Sequence, residues 1–430
     1  MDKLLRSTGR LLGTTVWLLC FYSANLPAGE LSDGPESVTL HGATMGTTYS
    51  IKYRPVPKQL QPHELQPLVD TLLEQINQQM STYLSESELS RFNRAPADQW
   101  FEVSAETEYV VRKAIEFHRL TDGAFDVTVG PLVKLWNFGP QSDTSAVEPT
   151  EVQLRAALAT VGCQHLQTRP DPPALRKTID ALQVDLSSIA KGYAVDAVGE
   201  LLTQHSIDHW MVEIGGEVRA AGSRPDGSPW RIGVEHPQPD RRAVNRVVLL
   251  HDAALATSGD YRIFRRSAEG VAYSHLIDPA TGQPLPYRGV AVSVLAETCL
   301  EADALATAVL VMGREQGYQW CLTHDVAALF LFSDVSETPA TATPRFDQLT
   351  QPAATGNGSL GAMVLVSIAV FAVALIGMAI GVILSNRRLR GSCGALGGLR
   401  DAQGQTLCEA CTNPSPTCTG ESSGVPTLPD

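Results

Sequence analysis

The chain has 430 residues, room for two or three domains of roughly 100–200 residues each. Its 33 Lys and Arg stand against 46 Asp and Glu, a formal net charge of −13. That balance lacks the basic footprint of a nucleic-acid binder, so no nucleic-acid partner is expected. Hydrophobic residues make up 43% and charged ones 18%, which excludes a chain disordered throughout.

Taken from the start, Lys3, Arg6 and Arg10 precede the short apolar run 11–21. Basic residues before a run too short to span a bilayer make residues 1–28 an export signal peptide. Residues 30–332 read as one large α+β domain. Alternating apolar patterns predict strands over 48–53, 212–220, 230–235, 247–250 and 290–294. Helical spacing predicts helices over 65–79, 106–120, 151–161, 189–205 and 300–312. Pro225-Asp226-Gly227 marks a turn between two strands. Residues 333–359, rich in Ser, Thr, Ala, Pro and Gly, read as a flexible linker. Residues 360–384 carry no charge and are long enough for a transmembrane helix. Arg387, Arg388 and Arg390 follow directly, so the tail 385–430 is expected in the cytoplasm. The large domain then lies outside, in agreement with the export signal.

Several residues in that domain could carry chemistry. Asp303 and Thr307 are four apart on the helix predicted over 300–312 and so share a face. Their neighbours are apolar, and a carboxylate there needs a partner. A carboxylate beside a hydroxyl suits Mg2+, though helix capping would use the same residues. Asp185, Ser187, Ser188 and Lys191 stand at an expected helix start, where backbone N–H groups and the dipole favour an anion. An ordinary capped helix reads the same way. Gly215-Gly216-Glu217 allows close backbone approach to a ligand, or a bulge. His275, at a strand end, could titrate near neutrality or meet a phosphate. Gly123-Ala124-Phe125-Asp126 is a polar, glycine-bearing loop.

The order of these pieces is more specific than any one of them. Gly42-Ala-Thr-Met-Gly-Thr47, Met80-Ser-Thr-Tyr83, Gly123–Asp126, Ser187–Gly192, Gly215–Glu217, Ser258-Gly-Asp-Tyr-Arg262, His275-Leu-Ile-Asp-Pro279 and Glu301-Ala-Asp303…Thr307 resemble, in sequence order, the ApbE family. The resemblance covers about residues 38–332. It implies an exported, Mg2+-dependent FAD:protein FMN transferase, which splits FAD, attaches FMN to a Ser or Thr hydroxyl of a carrier protein and releases AMP. By position it implies Asp303 and Thr307 as metal ligands, with Ser188 or a nearby backbone carbonyl as another. It implies FAD contacts at Met45, Tyr83, Ala124, Phe125, Asp126, Asp185, Lys191, Gly215, Gly216 and Ile277. It places His275, with Asp303, at the catalytic centre. Asn137 and Ile263 depart from the family pattern beside ligand motifs and leave the metal positions intact.

The tail carries Cys393, Cys408, Cys411 and Cys418, spaced C-x14-C-x2-C-x6-C. Four cytoplasmic thiols at such spacing can bind iron or zinc. The uncharged span, its basic flank and this cysteine group resemble the NqrM family of membrane proteins, which mature the sodium-translocating NADH:quinone reductase. That resemblance implies iron delivery by the tail and, as FMN acceptors, the flavin-carrier subunits of that reductase. The expected location is a bacterial inner membrane with the catalytic domain periplasmic. Two alternatives share the domain: an FAD pyrophosphatase giving FMN and AMP, and a non-catalytic flavin-binding scaffold with a metal-delivering tail.

Overall fold

A computed structural model describes residues 37–55, 60–139, 148–238, 243–267, 269–333 and 340–350, and in the C-terminal part 367–373, 375–377 and 380. The chain divides into two compact units, 1–352 and 353–430.

The first unit is built on an eight-stranded antiparallel sheet. Its order is Val38–Thr44, Thr47–Tyr53, Trp210–Ile214, Glu217–Ala221, Ala253–Gly259, Val290–Ala296, Ala327–Phe332 and Thr341–Ala342. Side chains alternate between the two faces of a strand, so each central strand feeds two cores. Ala254, Ala256, Val292, Val294, Ala328 and Phe330 face a layer of helices. Leu255, Ala291, Leu295, Ala327, Leu329 and Leu331 face a second core, which Trp230, Val234, Val248 and Phe346 complete.

Two helices matter most for the site. Cys299–Met312 lies on the strands Ala253–Gly259 and Val290–Ala296. It is apolar nearly all round and buried, as expected of a helix enclosed on every side. Ala190–Gln204 packs against it and against the strands Trp210–Ile214 and Glu217–Ala221. Gly192 makes that closeness possible: a Cβ there would sit 2.4 Å from the Cys299 carbonyl oxygen.

The predicted helices are all present, with shifted ends: Pro62–Met80, Ala105–Leu120, Glu151–Leu158, Ala190–Gln204 and Cys299–Met312. The strand expected over 212–220 is instead a hairpin. Gly215 (φ +64°) and Gly216 (φ +109°) form its two-residue turn, and Ile214 pairs with Glu217 across it. The linker expected over 333–359 also needs correction within 340–350. There Thr341–Ala342 pairs with the strand Ala327–Phe332, and the helix Pro344–Thr350 buries Phe346 completely. Arg246 ties this helix to the strand Val244–Leu250 through Asp347 at 2.8 Å and Thr350 at 3.2 Å. One buried ring and these polar ties dock a segment that is otherwise polar.

In the second unit, residues 367–373 and 375–377 are helical, with Ile368, Val370, Phe371, Val373, Leu375 and Ile376 exposed. Among the described residues no helix is long and apolar enough to cross a membrane. Most of the span expected over 360–384 lies outside the described residues, as do the expected signal peptide 1–28 and Cys393, Cys408, Cys411 and Cys418.

Candidate active site

A cleft of about 1020 Å³ is lined by the two helices, the main sheet and the strands Trp230–Glu235 and Ala272–Ile277. Its lining brings together every site residue named from the sequence of the large domain. Met45 lies in the turn after Val38–Thr44, and Tyr83 follows the helix Pro62–Met80. Ala124, Phe125 and Asp126 follow Ala105–Leu120, while Asp185 and Ser188 precede Ala190–Gln204. Lys191 stands in the first turn of that helix, and Gly215 and Gly216 make the hairpin turn. His275 and Ile277 lie on the strand Ala272–Ile277, and Asp303 and Thr307 on Cys299–Met312. Pieces far apart in sequence thus meet in one cleft, at the start of one helix, along another and at the turns and ends of strands.

The charged centre of the cleft is small. Lys191 Nζ is 2.5 Å from Glu217 Oε1 and 4.0 Å from Asp303 Oδ1. Asp303 Oδ2 accepts the Gly192 N–H at 3.0 Å. Burial raises the Asp303 carboxyl above its ordinary range, against the pull of Lys191. Burial likewise pushes Glu217 up to about 7, with Lys191 opposing and Asp303 adding to the rise. Thr307 Oγ1 and Ser258 Oγ lie 2.9 Å apart, so Ser258 presents a second hydroxyl beside the first. Glu217 and Ser258 stand inside sequence motifs, but no site role was read for them. The signal was there in the strand phase. Val218 and Ala220 face the second core, so Glu217 and Arg219 turn a carboxylate and a guanidinium toward the helices.

The loop before Ala190–Gln204 is held by Asp185, whose Oδ1 accepts the Ser187 N–H at 2.9 Å and the Ser187 hydroxyl at 2.5 Å. The Asp185 N–H donates to the Val127 carbonyl at 2.7 Å, which fixes this loop to the Ala124–Asp126 segment. Gly192→Ala is expected to cost about 1–3 kcal/mol by overpacking two helices whose backbones touch. Urea unfolding checks this; an unchanged midpoint would show that the helices part freely.

Asp126 anchors the opposite wall. Oδ1 accepts the Thr128 N–H at 2.7 Å, the Thr128 hydroxyl at 2.5 Å and the Cys163 thiol at 3.3 Å. His118 Nδ1 lies 3.2 Å from Oδ2. His118, Asp126 and Cys163 are the one group of this kind among the described residues with metal-ligand spacing. Burial and the Asp126 charge push the thiol far up, so it stays a protonated donor and the group reads as a hydrogen-bonded network. His118 is raised chiefly by its bond to Asp126; burial raises Asp126, but the bonds from His118 and Thr128 outweigh it and leave it low. The His118 contribution to stability is therefore full below its unfolded value of 6.5 and fades as pH rises through the raised one. That of Asp126 is present above 3.8 and fades as pH falls through its lowered value. An NMR titration should place His118 above 6.5, and Asp126→Asn should bring it down.

The donor set suits a hard divalent cation. Asp303 and Thr307 offer a carboxylate and a hydroxyl, and the buried Oε2 of Glu217 has no hydrogen-bond partner among the described residues. The ApbE family model matches residues 45–330, most of the chain. The chain belongs to the ApbE family. The FAD:protein FMN transferase of Vibrio cholerae serotype O1 is 47% identical over 315 residues, covering 73% of this chain and 93% of the relative. That of Salmonella typhimurium is 34% identical over 337 residues, covering 76% and 95%. Among solved structures, the flavin transferase ApbE from Vibrio cholerae aligns with a TM-score of 0.65 at 44% identity, over 73% of this chain and 99% of that one. The flavinyl transferase ApbE of Pseudomonas stutzeri, in its apo form, aligns with a TM-score of 0.67 at 37% identity, over 74% and 98%. Family membership accounts for a cleft built from so many separate segments.

Proposed function

We propose that this protein transfers FMN from FAD to a Ser or Thr hydroxyl of a carrier protein, with Mg2+ held in the cleft by Asp303 and Thr307 and a third oxygen from Ser188 or the backbone near it. It is a transferase of the ApbE family, as its curated relatives are. The observation that carries the reading is the convergence of the family-matching residues on one cleft around a buried Lys–Glu–Asp centre.

The reaction forms a bond between the acceptor oxygen and the FMN phosphorus and breaks the pyrophosphate bond to AMP. When bound, Mg2+ supplies charge neutralisation to the pyrophosphate oxygens. The protein supplies position and proton transfer. The Lys191 ammonium and the N-terminal end of Ala190–Gln204 favour the anion. Exposed Tyr83, with Met45 and Ile277, offers flat and apolar surface to the flavin ring. His275 Nδ1 lies 3.1 Å from the Ile263 carbonyl, which can only accept, so Nδ1 carries the hydrogen and Nε2 is the basic atom. Burial, aided by the Lys191 charge, holds His275 below its ordinary value, so it is neutral near pH 7. A neutral imidazole can take the acceptor's proton as the oxygen attacks phosphorus.

The rest of the chain sets where this happens. The segment 360–384 anchors the protein in a bacterial inner membrane, the catalytic domain faces the periplasm, and the tail cysteines hold iron or zinc in the cytoplasm. The carriers are flavin subunits of the sodium-translocating NADH:quinone reductase, and the tail aids iron delivery to it. Support comes from the uncharged stretch, its arginine flank and the four cysteines.

The test of the cation is chelation. Protein stripped of divalent ions should leave FAD intact beside a carrier, and added Mg2+ should restore AMP release. AMP release without FMN on the carrier would indicate hydrolysis instead. For the tail, changing Cys393, Cys408, Cys411 and Cys418 together to Ser should impair reductase assembly without slowing FMN transfer. Unimpaired assembly would break that link.

A further inference from the structure

Glu217 is the buried acid of the cleft that the reaction above leaves without work. It is 4% exposed and lines the cleft beside Asp303 and Thr307. Its two oxygens are unequal. Oε1 meets Lys191 Nζ at 2.5 Å, while Oε2 is buried with no hydrogen-bond partner among the described residues. A carboxylate oxygen shut away from water loses its hydration, and the loss is offset only by a donor or a cation.

The position of that oxygen is set by the hairpin. Glu217 is the first residue after the Gly215-Gly216 turn, and a Cβ at Gly215 would lie 3.5 Å from Oε2. Thr47 Cγ2 would lie only 2.9 Å from the same Cβ, so this side of the carboxylate has room for glycine alone. Asp303, Thr307 and Ser258 line the same cleft as oxygen ligands, with Asp303 joined to Glu217 through Lys191 and Ser258 bonded to Thr307. Among the described residues one ammonium, Lys191, lies against the two carboxylates. Two carboxyl groups thus share one ammonium in surroundings where charge interactions are strong.

We propose that Glu217 is a further ligand of the divalent cation in the cleft, taking it through Oε2, while Lys191 holds Oε1 and competes with the cation for the two carboxylates. This rests on the cation site of the preceding section. Asp303 and Glu217 come from different layers, a helix and a strand of the main sheet. A cation shared between them ties the helix Cys299–Met312 to the hairpin whose glycine turn forms part of the cleft wall. Lys191, drawn less firmly to the carboxylates once the cation is in place, is freed to meet the phosphates of the substrate.

The test is Mn2+ binding, read from the loss of the free-ion EPR signal, on the full-length protein stripped of divalent ions and without FAD. Glu217→Gln keeps the size of the side chain and should weaken Mn2+ about tenfold to a hundredfold, the range found when groups supporting a metal are removed. Lys191→Met should tighten Mn2+ severalfold, since the competing ammonium is gone. The double variant decides: if Glu217 acted only through Lys191, Glu217→Gln would change nothing once Lys191 is Met, whereas a ligand still weakens Mn2+ there. Wild-type binding lost in Asp303→Asn but unchanged within about twofold in Glu217→Gln would overturn the proposal and leave the Asp303 site standing. No Mn2+ binding by the wild type would overturn both. Melting temperatures recorded with and without Mn2+ guard against a misfolded variant: for Glu217→Gln, a wild-type melting temperature without Mn2+ and a smaller rise with it is the supporting result. An equal rise contradicts it.

Discussion

Asp303→Ala is expected to abolish FMN transfer, by at least about a thousandfold, or about 4 kcal/mol of transition-state stabilisation. The residue is 3% exposed on a helix whose other neighbours are Ala, Leu and Val, and it is the carboxylate the helix turns to the cleft. Without it the cation loses its anchoring charge and Lys191 loses one of its two counter-charges. The effect on stability should be small by comparison. Removing the side chain leaves the Gly192 N–H without its acceptor, a cost of about 1–3 kcal/mol. It also removes a carboxylate that burial already disfavours, which offsets part of that cost. A steady-state rate of AMP release and a melting curve on the same sample check both halves. A variant with a near-normal rate would place the cation elsewhere. A variant that loses both rate and fold would make Asp303 structural.

Asp196→Ala is expected to act through the fold, costing about 3–5 kcal/mol of unfolding free energy. Asp196 accepts the Cys299 and Leu300 N–H groups, each at 2.9 Å, at the start of the helix that carries Asp303. It also pairs with Arg219 Nη1 at 2.8 Å. One carboxylate thus joins the helix Ala190–Gln204, the strand Glu217–Ala221 and the start of Cys299–Met312. Alanine would leave two N–H groups and a guanidinium without their acceptor. Asp196→Asn, which keeps one acceptor oxygen, should fall between the two. Urea unfolding ranks the three proteins. If alanine costs less than about 1 kcal/mol, water replaces the carboxylate and the joint is not structural.

Sequence periodicity made the long elements of this fold legible because burial imposes a period on each of them. It failed where glycine changes the path. Residues 212–220 keep a strand's composition throughout, and only the positive φ of Gly215 and Gly216 turns them into a hairpin. It failed again at 340–350. Ala, Thr and Pro around Phe346 resemble a linker, yet one buried ring and the Arg246–Asp347 pair dock that segment on the second core. A protein cut at the end of the family match would lose this packing, so experiments belong on the full chain.

The site was legible as a set and not as single residues. Asp185, His275 and Asp303 are each compatible with ordinary structural roles, and only their order along the chain pointed to one cleft. Glu217 received no role because an acid inside an expected strand over 212–220 shows no partner in the sequence. Its inward phase emerges once Val218 and Ala220 are known to face the other core. Ser258 was hidden for a related reason: its partner, Thr307, lies on a different element, and contacts across elements leave no spacing in the sequence. The residues expected in the membrane and the tail stand outside that comparison.

The most direct measurement is the intact mass of a flavin-carrier domain after incubation with the full-length protein, FAD and Mg2+, with Asp303→Ala alongside. The account predicts a carrier heavier by one FMN unit, one AMP released for each, and neither product with the variant. A carrier of unchanged mass while FAD is consumed to FMN and AMP would contradict it and make the protein a hydrolase. Intact FAD with an unchanged carrier would remove catalysis from the cleft altogether.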